Sequence, residues 1–125
     1  MILARSDLDL RVKSIQSDDD GRFIIMEADI QESSFLLVNV YAPNKTPDQW
    51  SFYDKLNNYI EEYVANAELR LIVGGDFNVP LNPDFDCSGG NSSRKDSVRT
   101  IQDLCLDFDL VDIWRVRNRQ TERFT

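Results

Sequence analysis

A mixed α/β fold, an α+β layer arrangement of helices on a sheet, is what this sequence predicts. Three observations predict it. Two apolar, β-branched runs, at residues 23–26 and 35–41, flank a short polar segment. Phe52, Leu56, Tyr59, Ile60, Tyr63 and Ala67 then recur every three or four residues, which is one face of a helix. A short apolar run at 69–73 is followed by a second helical face made of Val98, Ile101, Leu104, Cys105 and Phe108. With a further run at 110–114, the order reads β-β-α-β-α-β.

Each element has its own local reason. Residues 1–22 are polar and declare no element. Phe23, Ile24, Ile25 and Met26 open a strand that runs toward Asp29. Gln31 to Ser34 reads as a turn, and F-L-L-V-N-V-Y at 35–41 returns as the second strand of a hairpin. Ala42, Pro43 and Asn44 break it. Thr46-Pro47-Asp48-Gln49 is a helix start: threonine can cap, proline suits the first helical position, and glutamine completes a capping-box spacing. The helix should run for roughly five or six turns. The run at 69–73 reads as a buried strand ending in Gly74-Gly75. Residues 79–95, with Pro80, Pro83, Gly89 and Gly90, form a long irregular stretch, of a length that is uncommon unless the loop binds something or is mobile. Residues 110–114 should enter another strand.

Composition narrows the function classes. The chain has 125 residues, room for one domain, with 42% apolar and 29% charged residues. No apolar run approaches a membrane span, and Arg5, Asp7 and Asp9 with no apolar stretch after them do not make a signal peptide. The net charge is −8 and the sequence pI about 4.4, so the average surface repels phosphate backbones. Arg115, Arg117, Arg119 and Arg123 are clustered, as a solvated face or as a phosphate contact. Of two cysteines, Cys105 lies on an apolar helical face and Cys87 in the Pro/Gly-rich stretch, so free thiols in a reducing, intracellular compartment are expected. There is no histidine. Ser-His-Asp and Cys-His catalysis and histidine-ligated zinc are thereby excluded for this chain alone. What remains is chemistry by carboxylates, amides, hydroxyls and hard metals.

Two segments carry such groups. Leu71-Ile72-Val73-Gly74-Gly75-Asp76-Phe77-Asn78 brings a strand to the sheet edge, where α/β folds place ligands. In extended chain, residues two apart share a side, so Asp76 and Asn78 would face one pocket. Asp76 could bind a hard metal or polarise a water. Asn78 could hold a phosphate oxygen without adding charge. Gly-Asp-Phe-Asn is equally what an ordinary turn requires. Asn39-Val40-Tyr41-Ala42-Pro43-Asn44 also ends a strand. It offers the Tyr41 hydroxyl to a phosphate, or is a core tyrosine followed by a turn.

The pair V-N-V-Y-A-P-N and L-I-V-G-G-D-F-N, separated by a helix of this size, resembles the endonuclease/exonuclease/phosphatase superfamily, which includes deoxyribonuclease I-like enzymes and apurinic endonucleases. Leu110-Val111-Asp112-Ile113-Trp114-Arg115 and Glu122-Arg123-Phe124-Thr125 look most like the nuclease domains of LINE-type retrotransposons. The resemblance covers roughly residues 21–125. It implies a four-layer sandwich of two mixed β-sheets flanked by helices, of which residues 1–125 would be a single, incomplete domain. It also implies phosphodiester hydrolysis dependent on Mg²⁺ or Mn²⁺. Carried over by position, Asp76 would orient or deprotonate the attacking water and is a possible metal ligand. Asn78 would hold the scissile phosphate, and Tyr41 would hydrogen-bond a phosphate oxygen. Thr125 would lie near DNA; Asn44 receives no role.

The same resemblance predicts gaps. The family uses an early strand-end Asn and a metal-binding Glu, and neither pattern precedes Gly21. It also uses a late Asp and a final Ser-Asp-His, absent from a chain without histidine. The chain alone is therefore expected not to hydrolyse DNA at a useful rate, and to be marginally stable. Its parent would nick DNA, fused to a reverse transcriptase, in the nucleus. Two other readings stay open: a phosphoinositide, sphingolipid or nucleotide-end phosphatase of the same superfamily, and a catalytically dead binding module.

Overall fold

The computed structural model describes residues 1–65, 68–79 and 95–118. The elements are β1 (Leu10–Ser17), β2 (Phe23–Ile30), β3 (Ser33–Tyr41), α1 (Thr46–Val64), β4 (Arg70–Asp76), α2 (Lys95–Asp107) and α3 (Ile113–Arg117). The four strands form one mixed sheet in the order β1-β2-β3-β4. β1, β2 and β3 are an antiparallel meander, and β4 joins β3 in parallel after the α1 crossover.

The expected hairpin is present. β2 and β3 pair from Phe23↔Val40 to Ile30↔Ser33. The chain reverses through Gln31, whose φ of 55° is left-handed, so the turn is shorter than the four polar residues suggested. One face of this ladder carries Phe23, Ile25, Leu36, Val38 and Val40. Against it α1 sets Phe52, Tyr53, Leu56 and Ile60, and α2 adds Ile101 and Leu104. Burying such side chains stabilises the fold by about 1.5–3 kcal/mol each before chain entropy is counted. Phe23 sits in edge-to-face contact with both Phe52 and Tyr59, at ring-centroid distances of 6.2 and 5.2 Å.

β1 was not legible in the sequence. Most of its positions are exposed, and only Leu10 and Ser14 are half-buried. The alternation that marks a half-buried strand is therefore missing. A register shift between Val12 and Ser14 interrupts it further. Arg11 and Lys13 on this edge strand pair with Asp29 and Glu27 of β2. The β1–β2 turn is built around buried Asp18. Its Oδ1 accepts the backbone N–H groups of Arg22 and Phe23, at 2.6 and 2.9 Å.

Three further expectations need correction. α1 opens at Thr46 itself, so the N-cap is Lys45, extended at φ −92°, with no side-chain hydrogen bond, and Gln49 is engaged elsewhere. β4 is not fully buried, because it lies at the sheet edge and Ile72 is 52% exposed. Residues 110–114 do not enter a strand. Asp112 caps α3 instead, its carboxylate accepting the Arg115 N–H at 2.9 Å, and an aspartate at that point favours a helix start over continued extension. The second helical face holds, with Val98, Ile101 and Leu104 buried and Cys105 and Phe108 packed beside them. Burial, and then the Asp112 carboxylate, push the Cys105 thiol up. Ala67, Cys87, Arg119, Arg123 and nearly all of the 79–95 stretch lie outside the described residues.

The sheet face opposite α1 is apolar as well. Alternation puts Met26, Leu37, Val12, Ile15 and Ile72 there. The first ten residues cross part of it, leaving a cleft of about 450 Å³ between Ile2, Leu3 and Leu8 above and Met26, Ile30 and Leu37 below. Val12, Ile15 and Ile72 remain exposed.

Candidate active site

The parallel ladder ends with Asn39↔Gly74, Val40↔Gly75 and Tyr41↔Asp76. Two strand ends thus deliver a phenol and a carboxylate to the same edge, on the face away from α1. Gly75 makes this approach possible. Its φ is +133°, and a Cβ there would collide with the backbone of Val40. Only glycine fits a strand brought this close in that conformation. Gly74 has open space around it.

The strand stops at Asp76, so extended alternation is not what joins Asp76 to Asn78. The segment is a turn. Asn78 adopts φ 51°, a region asparagine tolerates. Its backbone N–H donates to Asp76 Oδ1 at 3.0 Å. Phe77 packs toward the core between them. The Asn78 Nδ2 donates to the Ala42 carbonyl at 2.7 Å, and the Ala42 N–H donates to the Asp76 carbonyl at 2.8 Å. The turn reading and the site reading are therefore compatible: the turn ties Asp76 and Asn78 to the segment just after Tyr41.

Asp76 is exposed, Asn78 half-buried and Tyr41 53% exposed. The Arg22 guanidinium lies 5.6 Å from the centre of the Tyr41 ring, and the Arg22 carbonyl accepts the Tyr41 N–H at 2.7 Å. One positive charge therefore stands at this edge of an acidic protein. Thr125, the other expected site residue, lies outside the described residues. Asp76 brings a carboxylate to the turn, and among the described residues no group of three His, Cys, Asp or Glu side chains converges. These residues do not make a metal centre by themselves.

The chain is similar to a transposon protein. Over 116 residues it is 34% identical to the Transposon TX1 uncharacterized 149 kDa protein of Xenopus laevis. The match takes in 91% of this chain and 8% of the transposon protein, so the chain spans less than a tenth of that relative's length. No protein-family model matches the chain. No helix among the described residues is long and apolar enough to cross a membrane.

Sequence reasoning missed three residues at this site. Arg22 was passed over in a polar stretch. Gln49 was assigned to a capping box, yet its carboxamide donates to the Pro43 and Asn78 carbonyls, at 2.8 and 3.1 Å. Tyr53 fell outside the apolar spacing, yet it is buried and its hydroxyl donates to the Phe77 carbonyl. Burial, and secondarily the Asp76 carboxylate, hold this phenol well above its usual range. It therefore stays protonated as a donor. A polar residue one helical turn after Gln49 was the available signal.

Proposed function

We propose that this chain is part of a divalent-metal-dependent phosphodiesterase, the DNA endonuclease of a retrotransposon. The observation that carries the reading is the Tyr41↔Asp76 register at the end of a parallel ladder, with Asn78 tied across it. A phenol, a carboxylate and an amide then share one edge, in the order the superfamily motifs use them. The similarity to a transposon protein supports the retrotransposon origin.

In this reading Asp76 orients the attacking water and takes its proton. The carboxylate accepts one internal hydrogen bond on Oδ1, which fixes its direction. Asn78 uses one amide hydrogen on Ala42 and has a second donor and an acceptor for phosphate and water. Tyr41 donates to a non-bridging phosphate oxygen, where charge develops in the transition state. Arg22 offsets the acidic surroundings. A Mg²⁺ or Mn²⁺ ion would supply charge neutralisation at the phosphate. Its ligands would come mainly from residues outside this chain, and Asp76 would be a further one. The apolar sheet face opposite α1 would pack on a second sheet, completing the four-layer sandwich. The parent would be fused to a reverse transcriptase, act on DNA and work in the nucleus.

The test is supercoiled-plasmid nicking by the complete domain in Mg²⁺ or Mn²⁺, beside phosphate release from phosphoinositide and sphingolipid headgroups. Nicking that Asp76→Asn abolishes supports the endonuclease. Headgroup hydrolysis without nicking moves the substrate within the superfamily. Neither activity leaves the binding-module reading.

A further inference from the structure

The candidate turn is held from behind by α1. The successive carbonyl oxygens of Asp76, Phe77 and Asn78 accept hydrogen bonds from three different groups: the Ala42 N–H, the Tyr53 hydroxyl and the Gln49 carboxamide. The Gln49 nitrogen also donates to the Pro43 carbonyl at 2.8 Å. A primary amide has two N–H donors. One side chain thus links the segment after β3 to the turn after β4. Gln49 is 3% exposed and Tyr53 1%. Polar groups buried this deeply cost desolvation unless each finds a partner. Here the partners are backbone oxygens left without sheet neighbours where β4 ends. Gln49 and Tyr53 are four residues apart, so both reach the turn from one face of α1.

We infer that Gln49 and Tyr53 are positioning residues for Asp76 and Asn78. They fix the backbone that aims the Asp76 carboxylate and the Asn78 amide, and they do not touch substrate themselves. The inference rests on the phosphodiesterase reading above. An apolar pair would fill the same core volume. What it would not do is hold the Phe77 carbonyl between the two reacting residues and the Asn78 carbonyl after them.

Gln49→Met and Tyr53→Phe keep the volume and remove the donors. The first readout is amide hydrogen exchange in the chain itself. Asn78 N–H and Ala42 N–H should exchange about tenfold faster in each variant, while the amides of β2 and the interior of β3 stay protected. The second readout is plasmid nicking by the complete domain. Because small misplacements of reacting groups weigh on the chemical step, kcat should fall about tenfold with KM within about twofold. Unchanged exchange overturns the inference whatever the nicking shows. Faster exchange with unchanged kcat overturns it too, since the brace would then serve folding alone. If the unaltered domain neither nicks DNA nor hydrolyses the lipid headgroups, the phosphodiesterase reading fails and positioning falls with it. Faster exchange in the variants would still reveal the brace, so the two failures are distinguishable. Tyr53→Phe removes a single oxygen and keeps the test open should Gln49→Met fail to fold.

Discussion

Tyr41 and Asp76 stand opposite each other on the last rung of the β3–β4 ladder, 35 residues apart in sequence and adjacent in space. The α1 crossover creates this pairing. A parallel connection needs a long return, and the helix supplies it while covering one face of the sheet. The phenol and the carboxylate end up together because the two strands stop at the same level.

If that edge is catalytic, its members should act as a unit. In the complete domain, Asp76→Asn should lower the nicking rate by about 10²–10⁴-fold, the range for a positioned general base. Asn78→Ala and Tyr41→Phe should each cost about 10²-fold or more if they stabilise the transition state. A chelator should abolish nicking, and added Mg²⁺ should restore it. Rates within twofold of the unaltered domain for Asp76→Asn would remove Asp76 from the mechanism.

Gly75 and Gly74 should respond differently to the same change. Gly75→Ala places a Cβ against the Val40 backbone at a left-handed φ. Strain of that kind alone costs about 1–3 kcal/mol, and the collision adds to it. Gly74→Ala meets open space and should shift stability by no more than about 1 kcal/mol. Urea midpoints of the two variants measure the contrast, and equal midpoints would refute the close approach of β4 to β3.

Leu56 is fully buried between α1 and the sheet. Leu56→Ala should destabilise the chain by about 2–5 kcal/mol through lost transfer energy and the cavity left behind. Trp50, on the same helix but 66% exposed, should tolerate alanine with little loss. Equilibrium denaturation of both variants decides whether α1 packs as described.

The β1 edge makes a prediction about pH. Lys13 Nζ lies 2.7 Å from Asp29 Oδ1. The Lys13 ammonium, with the Ser34 hydroxyl, holds the Asp29 carboxyl below the usual carboxylate range, and Asp29 in turn raises Lys13. A depressed carboxyl contributes stability that is present above its unfolded value and lost as pH falls through its folded value. A raised ammonium contributes below its unfolded value and loses that contribution as pH climbs through the folded one. Lys13→Met should therefore be less stable than the unaltered chain near neutral pH. The two should converge in acid, once pH has fallen through the lowered folded value of Asp29. Urea midpoints across that range would show it, and parallel curves would rule it out.

Much of this was legible beforehand because the signals were local. The spacing of Phe52, Leu56, Tyr59 and Ile60 specified α1, and the β-branched run before Tyr41 specified β3, since an apolar stripe identifies the face it buries. Asp76, Asn78 and Tyr41 were legible as chemistry-bearing types at strand ends. β1 was not, because an exposed edge strand carries no periodic stripe. Residues 110–114 misled because their apolar content fits a strand, while the Asp112 cap that starts α3 acts through a backbone hydrogen bond.

The sequence by itself determined α1 and α2, the hairpin and the residue types available for chemistry. It also excluded histidine chemistry within this chain. Only the tertiary structure decided that Tyr41 and Asp76 share a rung, that Asn78 binds back to Ala42, and that Gln49 and Tyr53 serve the turn. Each of these depends on contacts between residues far apart in the chain. Which carbonyl a buried amide reaches is set by how α1 lands on the sheet, and no local pattern encodes that distance.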